Sequence, residues 1–316
     1  MKARLLLSAA CALLATLTFS TGVLAGSSDL KHAMRTRFAR TQIAPAPRDN
    51  LYSHGGNVAT QPLVYFSYWG PEWARGFSTG GYSSARAQAY VNGFFTNLGG
   101  SRWLRSTTQY CQGVAAGTVS CSAGAQMATN PSGLLRGVWN DASQVPGTPT
   151  SANIASAAQR AVAHFGYDRN ATYMVFTPTG KSTLGFSRYY CGWHDQTSYR
   201  GQPVAYVNVP YQPDGGAGCG KNYVNQANDS FGHGYFDGFS IVAGHEYAET
   251  VTDPDPNTAA GWLDRFGEEN GDKCAWGQGP GPHPASQNLT FAGQKYAVQP
   301  LWSNSANRGT GGCTMG

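Results

Sequence analysis

Charge is scarce in this chain. Of its 316 residues only 12 % are Lys, Arg, Asp or Glu, and glutamate occurs five times. The formal net charge is +5, or +3 once Lys2 and Arg4 are set aside. That balance is far below what a nucleic-acid-binding surface requires, which excludes that class of partner. After residue 25 no apolar run is long enough to span a bilayer, so no stable membrane anchor is expected. No CxxC pair is present, which argues against a cysteine-ligated metal. Neither a glycine-rich phosphate loop of the Walker type nor an internal repeat is found.

Glycine (41) and proline (17) are plentiful and imply long loops around a modest regular core. Lys2 and Arg4, the apolar run Leu5 to Leu17, and Val23-Leu24-Ala25 read as a secretory signal peptide over residues 1–25. Cys11 belongs to that segment. The six remaining cysteines in an exported chain read as three disulfides, and the shortest loops pair 111 with 121, 191 with 219 and 274 with 313. Residues 26–60 are polar and basic, a linker or pro-segment. Its Lys31, Arg35, Arg37, Arg40 and Arg48 favour anionic surfaces such as cell-wall polymers. Residues 61–316 then form one folded domain.

Within that domain Leu63 to Trp69 is rich in aromatic and β-branched residues and stops at Gly70-Pro71, as a strand does. Ser84 to Leu98 reads as a helix capped by Ser83 or Ser84. A second helix starts at Thr150 or Ser151 and carries the stripe Ile154, Ala157, Ala158, Ala161, Val162 and Phe165. Tyr173–Thr177 and Val204–Val209 read as strands, each ended by proline. A third helix is expected from about Phe239 to Val251, stopped by Pro254 and Pro256. The order helix, strand, strand, helix predicts an α+β domain with a zincin-like core: a mixed sheet, a backing helix and an active-site helix.

Four of the five glutamates, Glu246, Glu249, Glu268 and Glu269, lie within 24 positions. His245 and Glu249 are four apart and share one helix face, so half of a metal site is fixed before the ion arrives. Glu246 follows the histidine and can take a proton from metal-bound water. This is the logic of HExxH with glutamate in place of the second histidine. A carboxylate-rich set weakens the metal as a Lewis acid, so the ion could also be structural. Glu269 is the first choice of third ligand, with Asp255, Asp253, Asp272 and His194 as rivals. Asp272 can instead orient His245. His194, in Cys191-Gly192-Trp193-His194-Asp195, can stabilise an oxyanion or ligate the metal. His32, His54, His164 and His283 read as structural or exposed. The one GxSxG match, Gly76 to Gly80, falls mid-loop and lacks the strand-to-helix turn of a nucleophile elbow. Eight tryptophans offer either core filling or a sugar-stacking platform.

Taken together, Tyr68-Trp69-Gly70, Cys191-Gly192-Trp193-His194, Gly244-His245-Glu246-Tyr247-Ala248-Glu249, Asp253-Pro254, Gly261-Trp262 and Glu269-x-x-Asp272-x-Cys274 resemble the EXORDIUM/phosphate-induced family of plants. The chain departs from it at Gly244 and Asp253. The resemblance implies an extracellular or wall-associated protein, and it groups His245, Glu246, Glu249, Glu269 and Asp272 in one motif set. The expectation is a secreted hydrolase binding zinc, or else calcium, through His245, Glu249 and Glu269. Glu246 would be its base, His194 would assist, and a peptide or protein would be the substrate. The alternative is a non-catalytic wall protein with a structural ion or carboxylate network, or a glycan binder.

Overall fold

A computed structural model describes residues 32–40, 49–226, 231–277, 279 and 284–316. The expected signal peptide and His283 lie outside the described residues. The core is a six-stranded mixed sheet built from β1 (Ala33–Arg35), β2 (Leu63–Trp69), β3 (Leu135–Asp141), β4 (Ala171–Phe176), β5 (Tyr190–Tyr199) and β6 (Gln202–Val209). Their order across the sheet is β1-β5-β6-β4-β2-β3. Strands β6, β4, β2 and β3 run parallel, whereas β5 is antiparallel to both β6 and β1. This is an α+β fold.

The helices divide between the two faces. Helix α1 spans Ser84–Leu98, α2 Ser151–Phe165 and α3 His233–Thr252. Ser83 caps α1 by accepting a bond from the Arg86 amide, and Thr150 and Asn153 form a reciprocal capping box on α2. The alanine-rich stripe of α2 packs on the face that carries Tyr173, Val175, Trp193, Val204 and Tyr206. The opposite face presents Phe66, Tyr68, Met174, Phe176, Val207 and Val209 to α1 and α3. Side chains alternate between faces along a strand. Trp193 therefore meets α2, and its neighbours Gly192 and His194 turn toward α3.

Helix α3 begins six residues before the expected start and is buried from Gly234 to Thr252. A surface helix shows one apolar stripe; this one is enclosed all round. Its glycines permit the enclosure. A Cβ on Gly238 would stand 2.2 Å from the Cys219 carbonyl oxygen. On the sheet side, a Cβ on Gly192 would stand 2.6 Å from Val242 Cγ1. The aromatic wall around the helix includes Phe95 edge-on to Tyr247, with ring centroids 5.4 Å apart.

Several strands depart from the sequence reading, among them Leu135–Asp141 of the main sheet and Tyr52–Ser53, which lies in the expected 26–60 segment yet pairs with Trp262–Leu263. Residues 33–35, placed in the linker or pro-segment, add the outermost strand of the sheet. The Cys191–His194 segment, assigned to no strand by the sequence reading, is the start of the ten-residue β5. Its Gly192 and charged Asp195 weaken any strand pattern, and pairing on both sides overrides that weakness.

The three expected cysteine pairs are at bonding distance, with S–S of 2.00, 2.09 and 1.95 Å for 111–121, 191–219 and 274–313. The last closes the segment that covers the far side of α3. Replacing both Cys274 and Cys313 by serine should cost roughly 2–5 kcal/mol. The check is the urea midpoint of the variant against that of the oxidised parent. An unchanged midpoint would show that the bridge leaves the fold's stability untouched.

Candidate metal centre

Four chain segments converge on the buried middle of α3. The helix supplies His245, Glu246 and Glu249, and the residue that caps its C-terminal end is Asp253. Strand β5 supplies His194 and the residue before β1 supplies His32, both on the helix-facing side of the sheet. The segment between Asp264 and Gly277 supplies Glu269 and Asp272. All eight side chains are buried, and Asp272, at 8 %, keeps the largest exposure.

The last segment is held by its own neighbours. Asn270 donates through Nδ2 to the Ala248 carbonyl (2.9 Å) and to Thr252 Oγ1 (2.8 Å). Gln299 donates to the Gly271 carbonyl at 2.8 Å. Lys273 is fully buried, pairs with Asp264 at 2.7 Å and lies 4.5 Å above the Trp302 ring. Cys274 follows directly. Losing one partner of a buried ion pair leaves an uncompensated charge, so this pair fixes the segment's path.

His245 Nε2 stands 3.1 Å from Glu249 Oε1 and 3.7 Å from Asp272 Oδ1. Together these three offer ligand atoms within 4.8 Å of one another. The Asp272 amide donates to Glu249 Oε1 at 2.9 Å and orients that carboxylate. On the other side, His194 Nδ1 lies 3.2 Å from Glu246 Oε2 and 3.4 Å from Glu249 Oε2, and its Nε2 lies 3.5 Å from Glu269 Oε2. His32 Nδ1 is 3.3 Å from the same Glu269 oxygen. Glu246 Oε1 accepts the Met34 amide at 3.1 Å.

Buried polar atoms are normally paired. Here both ring nitrogens of His245, His194 Nε2, Glu249 Oε2, Glu269 Oε1 and Asp253 Oδ2 make no well-aligned hydrogen bond, and the close contacts among them are between histidines and carboxylates of the cluster itself. Imidazole nitrogens and carboxylate oxygens left so in one enclosed volume are the donor set of a divalent cation. The buried His, Glu and Asp groups fit a metal ion.

Electrostatics points the same way. Burial works against a charged His245 ring, but Glu249, Glu246 and Asp272 outweigh it and raise its pKa to about 9. His194 is likewise desolvated, yet Glu269, Glu246 and Glu249 hold it well above its ordinary value. Burial raises Glu246 and pushes Glu269 well up, the latter with help from Glu249 and Asp253. Asp253 rises to about 6, again mainly through burial. Glu249 goes the other way: burial opposes its charge, but the two flanking histidines overcome that and depress it. Negative charge is in excess, and a cation relieves it.

The sequence-predicted residues thus fall into two groups. His245 and Glu249 meet as expected. Glu269, the expected third ligand, faces His32 and His194 instead, and Asp272 takes its place beside His245. The reason is local: Gly271 has no Cβ, so its backbone lies against His245 and Glu249 and brings Asp272 beside them. His194 reaches the cluster centre. Asp255 is engaged elsewhere, with Arg169 and with Asn57 Nδ2 at 2.8 Å. His32, read as structural or exposed, belongs to the cluster. Strand alternation from Met34 would have shown its face, but only once β1 was recognised as a strand. Among the tryptophans, seven are buried and Trp139 is stacked on His164, so they fill core and offer no broad sugar platform.

Gly271 is the tightest element of the site. A Cβ there would stand 2.7 Å from His245 Nδ1 and 2.8 Å from Glu249 Oε1. We expect Gly271→Ala to weaken zinc binding by at least tenfold with the far-ultraviolet circular dichroism unchanged. Isothermal titration with zinc checks this, and unaltered affinity would show that the two side chains do not form the site.

The chain matches no protein-family model, no curated protein and no solved structure.

Proposed function

We propose that the protein is an exported, metal-dependent hydrolase with a zincin-like core, acting on a peptide or related amide bond. The observation that carries this reading is the convergence of His245, Glu249 and Asp272 within ligand distance, beside Glu246 on the same helix. These three residues would hold one divalent cation, and zinc suits their nitrogen and oxygen donors. When bound there, the ion would supply Lewis-acid chemistry, lowering the pKa of a water and polarising a carbonyl.

The chain's own groups then have distinct tasks. Glu246 accepts the proton; burial raises its pKa and so makes it a stronger base than a solvated carboxylate. His194 bonds the second oxygen of Glu246 and orients it. Glu249 and the Asp272 amide fix the geometry. Strand β1 lies over this machinery, and its Met34 amide occupies Glu246. Substrate entry therefore requires β1 to leave, and the freed edge of β5 would pair with an extended peptide. A pro-segment reading fits only the arm that carries β1: residues 49–60 belong to the fold, with Leu51 and Val58 in the core and Tyr52–Ser53 paired to Trp262–Leu263. Three disulfides and the absence, among the described residues, of a helix able to cross a membrane accord with export.

The reading is tested by incubating the zinc-loaded chain with casein before and after limited proteolysis of its N-terminal arm. We expect peptide release that rises after trimming and stops with a zinc chelator. No release from trimmed, zinc-replete protein would overturn it. Metal uptake should also expel a proton from His245, whose pKa is about 9 without the ion. Apparent zinc affinity should then climb as pH rises toward 9, by up to about tenfold per unit, because the ring must be neutral to ligate. Titrations in buffers of different ionisation enthalpy report that proton.

A second reading is favoured by the complete burial of the cluster: a wall-associated, EXORDIUM-like protein in which the ion is structural. It keeps the metal-dependent stability and lacks turnover.

A further inference from the structure

We propose that the chain binds a second divalent cation through His32, His194, Asp253 and Glu269, and that this ion fastens strand β1 over the site. Each of the four offers a ligand atom within 4.8 Å of the others. Their exposures are 4, 1, 0 and 0 %. His194 Nε2, fully enclosed, has no hydrogen-bond partner in that space, and the Asp253 and Glu269 carboxylates there face each other closely enough to share a proton in the absence of an ion. The second Asp253 oxygen accepts the Gly261 amide at 2.8 Å, which sets the carboxylate's direction. Two imidazoles and two carboxylates make a four-coordinate set suited to zinc.

The four share no member with His245, Glu249 and Asp272. Glu249 stands between the groups, one oxygen 3.1 Å from His245 and the other 3.4 Å from His194. Charge supports two ions. Glu246, Glu249, Asp253, Glu269 and Asp272 bring five negative charges into a buried volume, and ligating histidines are neutral. One dication leaves −3 and two leave −1, and uncompensated buried charge is strongly unfavourable.

His32 gives the second ion its role. It comes from the edge of the sheet, where the His194 amide donates to its carbonyl at 3.1 Å and the Thr36 amide donates to the Tyr189 carbonyl at 3.1 Å. The strand between is three residues long, and so few backbone bonds hold a strand weakly. A metal bond from His32 to residues of α3, β5 and the Glu269 segment converts that contact into a cross-link. The inference concerns binding alone and holds whether or not the first site hydrolyses anything.

The test is zinc stoichiometry in chelator-stripped full-length chain, counted after desalting, with hydrogen exchange at residues 33–36 read alongside. We expect two zinc ions in the parent and one in each of His32→Ala, Glu269→Gln and Asp272→Asn. Exchange at 33–36 should slow at least tenfold when zinc fills the parent, and should not slow in His32→Ala. Glu269→Gln, on a different segment, guards against a folding defect in the first variant. A single ion lost in Asp272→Asn but kept in both other variants would overturn the second site and leave the proposed hydrolytic site standing. Two ions retained in both His32→Ala and Glu269→Gln would overturn the ligand set. No bound zinc in the parent would overturn both sites.

Discussion

Glu246→Gln should keep its zinc and lose turnover by about 10²–10⁴-fold, the range that a positioned general base supplies. The amide is nearly isosteric with the carboxylate and can still accept the Met34 amide, so β1 stays in place. What it cannot do is take a proton. Its loss should appear in kcat rather than in KM, because Glu246 acts in the transition state and not in holding substrate. Metal content decides the interpretation. If zinc is bound as in the parent and casein digestion is unchanged, Glu246 is not the base. If parent and variant are equally inactive after trimming of the N-terminal arm, the structural-ion reading gains.

The second large effect concerns stability. An enclosed volume with five carboxylates and three histidines is costly without a counter-ion. Zinc at a hundred times its dissociation constant should stabilise the fold by about 2.7 kcal/mol. For a chain of this size that raises Tm by roughly 4–5 °C. Chelation should reverse it. The gain should shrink in His245→Ala and in Asp272→Asn, which remove ligands from separate segments. Calcium added at the same activity should do less, since the imidazole nitrogens favour zinc over an oxygen-seeking ion. A Tm indifferent to zinc in the parent would mean that the buried groups satisfy one another by protonation alone. Differential scanning calorimetry at fixed pH measures all of these.

Part of this arrangement was legible in the sequence because it is local. The caps at Ser83 and Thr150, the alanine stripe of α2 and the proline stops place three helices and three of the four parallel strands; Leu135–Asp141, half-exposed and without a clean pattern, was not foreseen. The His245–Glu249 spacing fixes one helix face. The disulfides followed from the shortest loops. The non-local part was not legible. Which of Glu269, Asp272 and Asp255 meets His245 depends on a glycine whose missing Cβ lets the chain lie against the helix, on the Lys273–Asp264 pair and on Arg169. No helical or strand period records those contacts. His194 was singled out by its company of Cys, Gly and Trp, yet its strand could be recognised only from pairing with β6 on one side and β1 on the other. Residue 32 escaped because three residues of strand carry too little pattern to stand out from a basic arm.

These features make the helix-facing side of the sheet edge a single unit: β5 and β1 bring the histidines, α3 and its covering segment bring the carboxylates. The account stands or falls on a cation among them. Crystals of the full chain grown with zinc, with anomalous data collected on both sides of the zinc absorption edge, test this directly. We predict a peak within about 2.0–2.2 Å of His245 Nε2 and of oxygens from Glu249 and Asp272. Zinc-replete crystals with no peak at these three residues, and with their side chains bonded only to one another, would contradict it.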